Sequence, residues 1–527
     1  MQERVQEETG RGILNWIERT GNRLPDPVFL FLYLMGALVL VSIVAALAGW
    51  SALHPTEIDP ATGTGTLIEA QSLVSAENIR RLWVDMPATF THFHPLGYVL
   101  VVMLGAGVAE RSGLFGTAMR AGVRNAPTLL LTPIVAFVAM MGNLAADAAY
   151  VVLIPLAGVI FAAAGRHPNA GIAAAFAGVS GGFSANLLPG QLDALLFGIT
   201  EAAAETVVPS WDANIAGNWY FIAAMLFVFL PVIWYVTDRI VEPRLGRYVP
   251  EEGASISLGE PEAPLTPAEM RGLKHAGLAV LGVAALWAFF TMGPGTPLID
   301  QSAPPEGRLT PFYRSLVSGF FLLFLAAGWV YGRAAGTVNN HRDVVKMMSG
   351  SMGDMAYYLV LAFVAAHFVA MFNWSNLGLI LAVHGSAGLG DLNLPTPLLL
   401  TLIVLATTLI NLFIGSASAK WALLAPVLVP MLMLMGISAE MTTAVYRVGD
   451  GATNIISPLM VYFPLILVFC QRWQKDFGVG SLAAMMLPFS IGLLISGIAL
   501  TIGWVVLDLP LGPNAPVTYQ LPVEIIR

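Results

Sequence analysis

The chain has 527 residues, of which 57% are hydrophobic and only 11% charged, with a mean hydropathy of +0.74. A soluble protein carries about 25% charged residues, so this composition cannot cover a water-exposed surface. The net charge of −8 without a basic run excludes nucleic-acid binding, and the single cysteine, Cys470, excludes an internal disulfide and a cysteine-built metal site.

What remains is an all-α integral membrane protein. Residues 1–27 are polar, carry Arg4, Arg11, Arg19 and Arg23, and read as a cytoplasmic segment; no short apolar core with a cleavage site follows, so no secretory signal is expected. Spans are expected near 28–49, 96–109, 219–237, 275–292, 312–331, 355–371 and 481–506. Residues 169–204 and 441–470 are apolar but interrupted, and read as two broken helices. The stretches 126–165 and 396–435 are each too long for one span and are broken in the middle by small, polar residues. Basic residues mark cytoplasmic loops. Eighteen of the 25 Lys and Arg fall on one side only if 126–165 and 396–435 each enter and leave from the same face, as re-entrant hairpins. This gives nine spans and two hairpins, with the N-terminus inside and the C-terminus outside. The expected organisation is a first transmembrane half (28–240), a cytoplasmic linker (241–274), a second half (275–509) and an external tail (510–527).

The halves repeat each other. Asn143-Leu144 followed by Asp147-Ala-Ala-Tyr150 and Pro155 in the first hairpin matches Asn411-Leu412 followed by Ser418-Ala-Lys420-Trp421 and Pro426 in the second, whose tip is three residues longer. Beyond them, Gly182-Phe-Ser184-Ala-Asn186-Leu-Leu-Pro189 lies opposite Gly451-Ala-Thr453-Asn454-Ile-Ile-Ser457-Pro458 without a gap. One copy is approached from inside and the other from outside, an inverted-topology repeat of the kind found in secondary transporters. Gly and Pro interrupt a helix and free backbone groups, which in hydrocarbon must be satisfied by protein or by a water-filled cavity. Asn, Ser and Thr at such breaks can satisfy them or ligate a small hard cation. Asn143, Ser184 and Asn186 form a candidate cation set symmetric to Asn411, Thr453 and Asn454.

Ionisable residues inside spans are functional candidates by default. Asp193 follows Pro189 by four residues. It is either a protonatable carboxylate beside a cavity or an aspartate bonded to backbone. Arg447 and Asp450 stand at i, i+3. They either pair with each other, or Arg447 holds a substrate carboxylate while Asp450 faces a cation. Trp421 suits a stacked ring or an interface. Lys420 approaches a carboxylate or snorkels. Ser416 and Ser418 superficially suggest a serine nucleophile, with His367 or His384 as base, but nothing in the sequence places either beside them. No GxxxxGK[ST] loop is present to bind ATP. A channel is the other competing reading, disfavoured by the asymmetric charge set.

Leu100–Gly116, Gly181–Asp193, Asn411–Trp421 and Tyr446–Pro458 together resemble the p-aminobenzoyl-glutamate transporter (AbgT) family over essentially the whole chain. The resemblance implies a homodimeric, ion-coupled secondary transporter of the bacterial inner membrane, built of nine spans and two hairpins and not an enzyme. It implies uptake of p-aminobenzoyl-glutamate, a folate breakdown product, and/or export of sulfonamide antimetabolites; an uptake carrier for another aromatic or dicarboxylate anion is the alternative. Family substrate-path residues fall on Asp193, Ser418, Trp421, Arg447, Asp450 and Pro458. A family sodium site falls on Asn411, Gly415, Asp450 and Asn454, so a bound sodium ion is the one cofactor expected. Ser438-Ala439 stand where the resemblance implies a proline.

Overall fold

The computed structural model describes residues 26–58, 65–124, 127, 130–145, 149–248, 265–292, 295–303, 308–457, 460 and 462–521. The N-terminal arginines, Asp147 in the first tip, Pro458 and Arg527 therefore lie outside the described residues. The fold is helical, as composition and periodicity predict. Seven described helices are long and apolar enough to cross a bilayer: Pro27–Leu47, Trp219–Leu245, Pro267–Thr291, Leu316–Ala335, Ala356–Trp374, Ala417–Leu434 and Val479–Val506. Leu96–Arg111 and Leu114–Gly122 are long and apolar enough only together, and are bent by 64° at the break between them, as in a broken span or a re-entrant loop.

The expected interruptions are present in both halves. In the first, helix Leu131–Met141 gives way to a 3-10 turn at Gly142–Ala145, then to a π segment at Ala149–Leu153 and helix Ile154–Ala163. Helix Pro168–Phe176 follows, widens into a π segment at Ala177–Gly181, breaks, and resumes as Gln191–Ala204. In the second half, Thr396–Asn411 and Ala417–Leu434 flank a short non-helical tip, and Ala439–Ala452 is separated by a break from Phe463–Gln471. Ser438, one of the residues standing where the resemblance implies a proline, caps helix Ala439–Ala452: its Oγ accepts from Met441 N at 3.0 Å.

Small residues let the two broken helices meet. A Cβ on Gly451 would lie 2.6 Å from the Gly181 carbonyl, so only glycine permits this approach. Asn454 Nδ2 donates across it to Ser180 O at 3.4 Å. Helix Gln191–Ala204 packs on His94–Arg111 and on Ala417–Leu434, while Ala439–Ala452 packs on Thr396–Asn411 and Val479–Val506. Every residue from Ala439 to Ala452 is buried. Around this centre runs a layer of uninterrupted helices, among them Pro267–Thr291 against Leu316–Ala335.

Two elements were not anticipated. Ser51–Ile58 and Gly65–Glu69 form an antiparallel hairpin, and Leu377–Asp391 forms a helix against Ala417–Leu434. The described part of the tail is stitched to both halves. Tyr220 N and Phe221 N donate to Leu511 O, Asn214 Nδ2 to Pro513 O at 2.7 Å, Ser438 N to Val517 O at 3.0 Å, and Tyr519 N to Gly436 O at 2.8 Å.

Candidate functional site

Helical spacing builds the centre of the site. On Gln191–Ala204, Asp193, Leu196 and Thr200 follow one another by three and four residues and share a face. On Ala439–Ala452, Tyr446 and Arg447 each lie three or four residues from both Thr443 and Asp450. The two faces meet beside the second tip, bringing together residues some 250 positions apart in sequence.

Arg447 and Asp450 do not pair with each other. Arg447 Nη2 lies 2.6 Å from Asp193 Oδ1, and Lys420 Nζ lies 2.6 Å from Asp450 Oδ1. Lys420 is fully buried and Arg447 is 1% exposed, so Lys420 does not snorkel. Asp193 takes the backbone-bonded alternative and adds an ion pair to it. Its Oδ2 accepts from Gly190 N at 2.7 Å, closing the first turn after the break, while its Oδ1 holds the guanidinium. Such pairs are weak contributors to stability, because desolvation offsets attraction, but removing one partner costs about 3–5 kcal/mol. Arg447 Nε is buried without a partner, leaving the guanidinium able to take a further carboxylate oxygen.

Trp421 is fully buried, not interfacial. Its Nε1 donates to Thr200 Oγ1 at 3.0 Å and Leu196 O at 3.2 Å, and its ring lies 4.4 Å from that of Tyr446 at 30°. Tyr446 Oη donates to Ala417 O at 2.6 Å and reaches Asp450 Oδ1 at 3.3 Å. Thr200 Oγ1 meets Thr443 Oγ1 at 2.9 Å. Tyr446, Thr200 and Thr443 were not singled out from sequence. Their spacing from Asp450, Asp193 and Arg447 was the available signal, since each lies four or seven residues away on the same face.

At the second tip, Ser416 Oγ accepts from Ala419 N at 3.3 Å and contacts Ser418 Oγ at 3.2 Å. These are capping roles. His367 Nδ1 contacts Phe363 O and His384 Nε2 contacts Ser51 O, so no base is paired with either serine. Asn411 Nδ2 donates to Asp450 O at 2.5 Å, and to Thr453 Oγ1 and Asn454 Oδ1 at 2.9 Å each. Its Oδ1 accepts from Lys420 Nζ, which also faces Ile414 O at 3.4 Å. Of the expected sodium set Asn411, Gly415, Asp450 and Asn454, the Asn411 and Asp450 Oδ1 oxygens are taken by the Lys420 ammonium and Asn454 Oδ1 by the Asn411 amide, so these side-chain oxygens do not fit a metal ion in this arrangement. Gly415 lies in the non-helical tip beside it. Among the described residues, no cluster of three His, Cys, Asp or Glu could hold a metal.

At the first break the side-chain amides of Asn143 and Asn186 donate to backbone carbonyls. Asn143 Nδ2 donates to Gly182 O at 3.2 Å, and Asn186 Nδ2 to Met140 O at 3.4 Å. Asn143 Oδ1, Ser180 Oγ and Ser184 Oγ are buried without partners.

Comparison with known proteins agrees with this architecture. The sequence pattern of the "AbgT putative transporter family" matches residues 12–519. The p-aminobenzoyl-glutamate transport protein of Escherichia coli K12 is 34% identical over 507 residues, covering 95% of this chain and 96% of the relative. The crystal structure of the Alcanivorax borkumensis YdaH transporter, described as having an unusual topology, superposes with a TM-score of 0.85 at 44% identity, covering 93% of this chain and all of that one. Neisseria gonorrhoeae MtrF, described as illuminating a class of antimetabolite efflux pumps, superposes with a TM-score of 0.88 at 43% identity, covering 96% of this chain and all of that one. The chain therefore belongs to the AbgT family of multi-pass membrane transporters and is not an enzyme.

Proposed function

We propose that this transporter is driven by a proton or sodium gradient and moves p-aminobenzoyl-glutamate, sulfonamide antimetabolites, or both across the bacterial inner membrane. The supporting observation is the pair of buried cations, Arg447 and Lys420, each held by a resident carboxylate where the two broken helices meet. A substrate with two carboxylates and an aromatic ring matches two cations beside the Trp421–Tyr446 ring pair. Substrate carboxylates would compete with Asp193 for Arg447 and with Asp450 for Lys420. Protonating Asp193 and Asp450 would release the cations to the substrate, and deprotonation would reclaim them. Charge balances at one proton per carboxylate exchanged. A substrate that opens these pairs in one state more than in the other shifts the equilibrium between inward- and outward-open forms. Pro458 carries its role from the family motif alone, and Ser418 lies at the second tip beside Lys420.

Homodimerisation through the outer helices belongs to this reading. Pro267–Thr291 is the least covered of the seven candidate spans, with 6% of its apolar window buried within the chain. An N-terminus inside and a C-terminus outside, with nine spans, also belong to it, supported by the distribution of basic residues.

The test is counterflow in liposomes with labelled p-aminobenzoyl-glutamate and a labelled sulfonamide, with pH and sodium gradients imposed in turn. Accumulation that follows one gradient is the expected result. Flux indifferent to both would end the gradient reading, and flux of a different aromatic or dicarboxylate anion alone would replace the substrate.

A further inference from the structure

The two breaks differ when compared atom by atom. The repeat sets Asn143 opposite Asn411, Ser184 opposite Thr453, Ala149 opposite Lys420 and Gly181 opposite Asp450. The donor side of the motif is kept in both halves. Asn411 Nδ2 donates to the backbone of its break at Asp450 O, and Asn143 Nδ2 donates at the neighbouring position, Gly182 O. The acceptor side is not kept. Asn411 Oδ1 receives the Lys420 ammonium, whereas Ala149 supplies no ammonium and Gly181 no carboxylate. Asn143 Oδ1 is left buried and unpartnered, with Ser180 Oγ and Ser184 Oγ. Ser184 is 4% exposed and Ser180 fully buried. Unmade hydrogen bonds at buried oxygens cost about 1–3 kcal/mol each, so three near one break call for an occupant.

The surroundings define its charge. Helix Leu131–Met141 ends beside Asn143, and helix Pro168–Phe176 with its π extension ends at Gly181. Each C-terminus carries about half a negative charge, so the two together offset about one positive charge. Ala149 Cβ borders the tip, since a Cβ on Gly142 would lie 2.9 Å from it. The described donors at the break are neutral hydroxyl, amide and carbonyl oxygens, and the Asp193 carboxylate at its far end is already held by Arg447 and Gly190 N; such neutral donors suit a hard monovalent cation better than a divalent one. Half-helix C-termini at broken segments are where secondary transporters coordinate such ions.

We propose that the first break binds one sodium ion through Asn143 Oδ1, Ser184 Oγ and freed backbone carbonyls, with Ser180 beside it and Asn186 bracing the Met140 carbonyl, and that the Lys420 ammonium fills the equivalent place in the second break. The pseudo-symmetric cation positions thus hold one exchangeable ion and one built-in ion. This deepens the gradient-driven reading by giving a coupling ion a place.

The test is equilibrium binding of radioactive sodium to the purified full-length protein in nanodiscs, without substrate or gradient. Thermal unfolding is followed in parallel in sodium and potassium chloride at equal ionic strength. The wild type is expected to bind saturably and to gain thermal stability in sodium but not in potassium. Asn143→Ala with Ser184→Ala weakens sodium binding by about tenfold or more, as two lost ligand bonds require. Ala149→Lys, which places an ammonium as in the second half, removes sodium binding while melting cooperatively and independently of sodium. That variant decides the matter even where the double variant fails to fold. Lys420→Met leaves the first-break site intact. Unchanged sodium affinity in both first-break variants would overturn the site, as would loss of binding in Asn454→Ala with Asn143→Ala unaffected. Because no flux is measured, sodium binding with gradient-indifferent flux would keep the site and end only the coupling, whereas gradient-driven flux without sodium binding would do the reverse.

Discussion

The centre and the outer layer of this protein treat the same problem in opposite ways. In the centre, helices break, backbone groups are released and four charges are buried as two ion pairs. In the outer layer, Pro267–Thr291 and Leu316–Ala335 run without interruption and pack through Gly319 beneath Trp287, and away from the centre the ion pair of Arg111, at the end of His94–Arg111, with Asp354, at the end of His341–Asp354, is exposed. Since buried charges are costly and contribute little net stability, their concentration at the breaks points to chemistry there and to support elsewhere. The outer layer is held by packing, and the centre carries the paired charges.

The largest effect expected from this contrast is at the centre. Arg447→Ala strands Asp193, so transport falls to background and stability drops by about 3–5 kcal/mol, read by thermal unfolding and liposome flux. The double change Arg447→Leu with Asp193→Leu should recover most of the stability and none of the transport. Recovery of both would mean the pair is merely structural. In the outer layer, Gly319→Ala places a methyl inside the Trp287 ring and costs about 1–3 kcal/mol as overpacking. It should lower the unfolding midpoint while leaving the substrate KM unchanged. A changed KM would join the two regions energetically. Trp421→Phe keeps a ring against Tyr446 but loses donation to Thr200 and Leu196, worth about 0.5–1.5 kcal/mol. It should slow flux several-fold with a small change in stability. The smallest effect is Arg111→Ala, which removes an exposed pair with Asp354 worth under about 1 kcal/mol; flux and melting should both stay near wild type.

The contrast was only partly visible in the sequence. The breaks were legible because Gly, Pro, Asn and Ser recur at matched positions in two otherwise apolar segments. The ion-pair partners were not. Local spacing suggests Arg447 with Asp450, but the tertiary contact carries Arg447 to Asp193, and Asp450 takes Lys420 from the tip. A helical i, i+3 relation fixes a shared face and not which opposing charge reaches it. Helix Leu377–Asp391 was hidden for another reason. It has 15 residues and four glycines, Gly378, Gly385, Gly388 and Gly390, so it is short for a span and reads as a loop until Ala417–Leu434 packs beside it. The hairpin at 51–69 was concealed by a weak alternation of apolar and polar residues, interrupted by Pro55.

The stitched tail has a mechanical consequence. Residues 511–519 fasten the start of Trp219–Val236 in one half to the entry of Ala439–Ala452 in the other through main-chain bonds. They act as a strap across the seam between the repeats. Loads applied at that rim are shared by both halves, and a cut upstream of Leu511 would unbuckle them together, whereas an addition beyond residue 521 leaves the strap fastened.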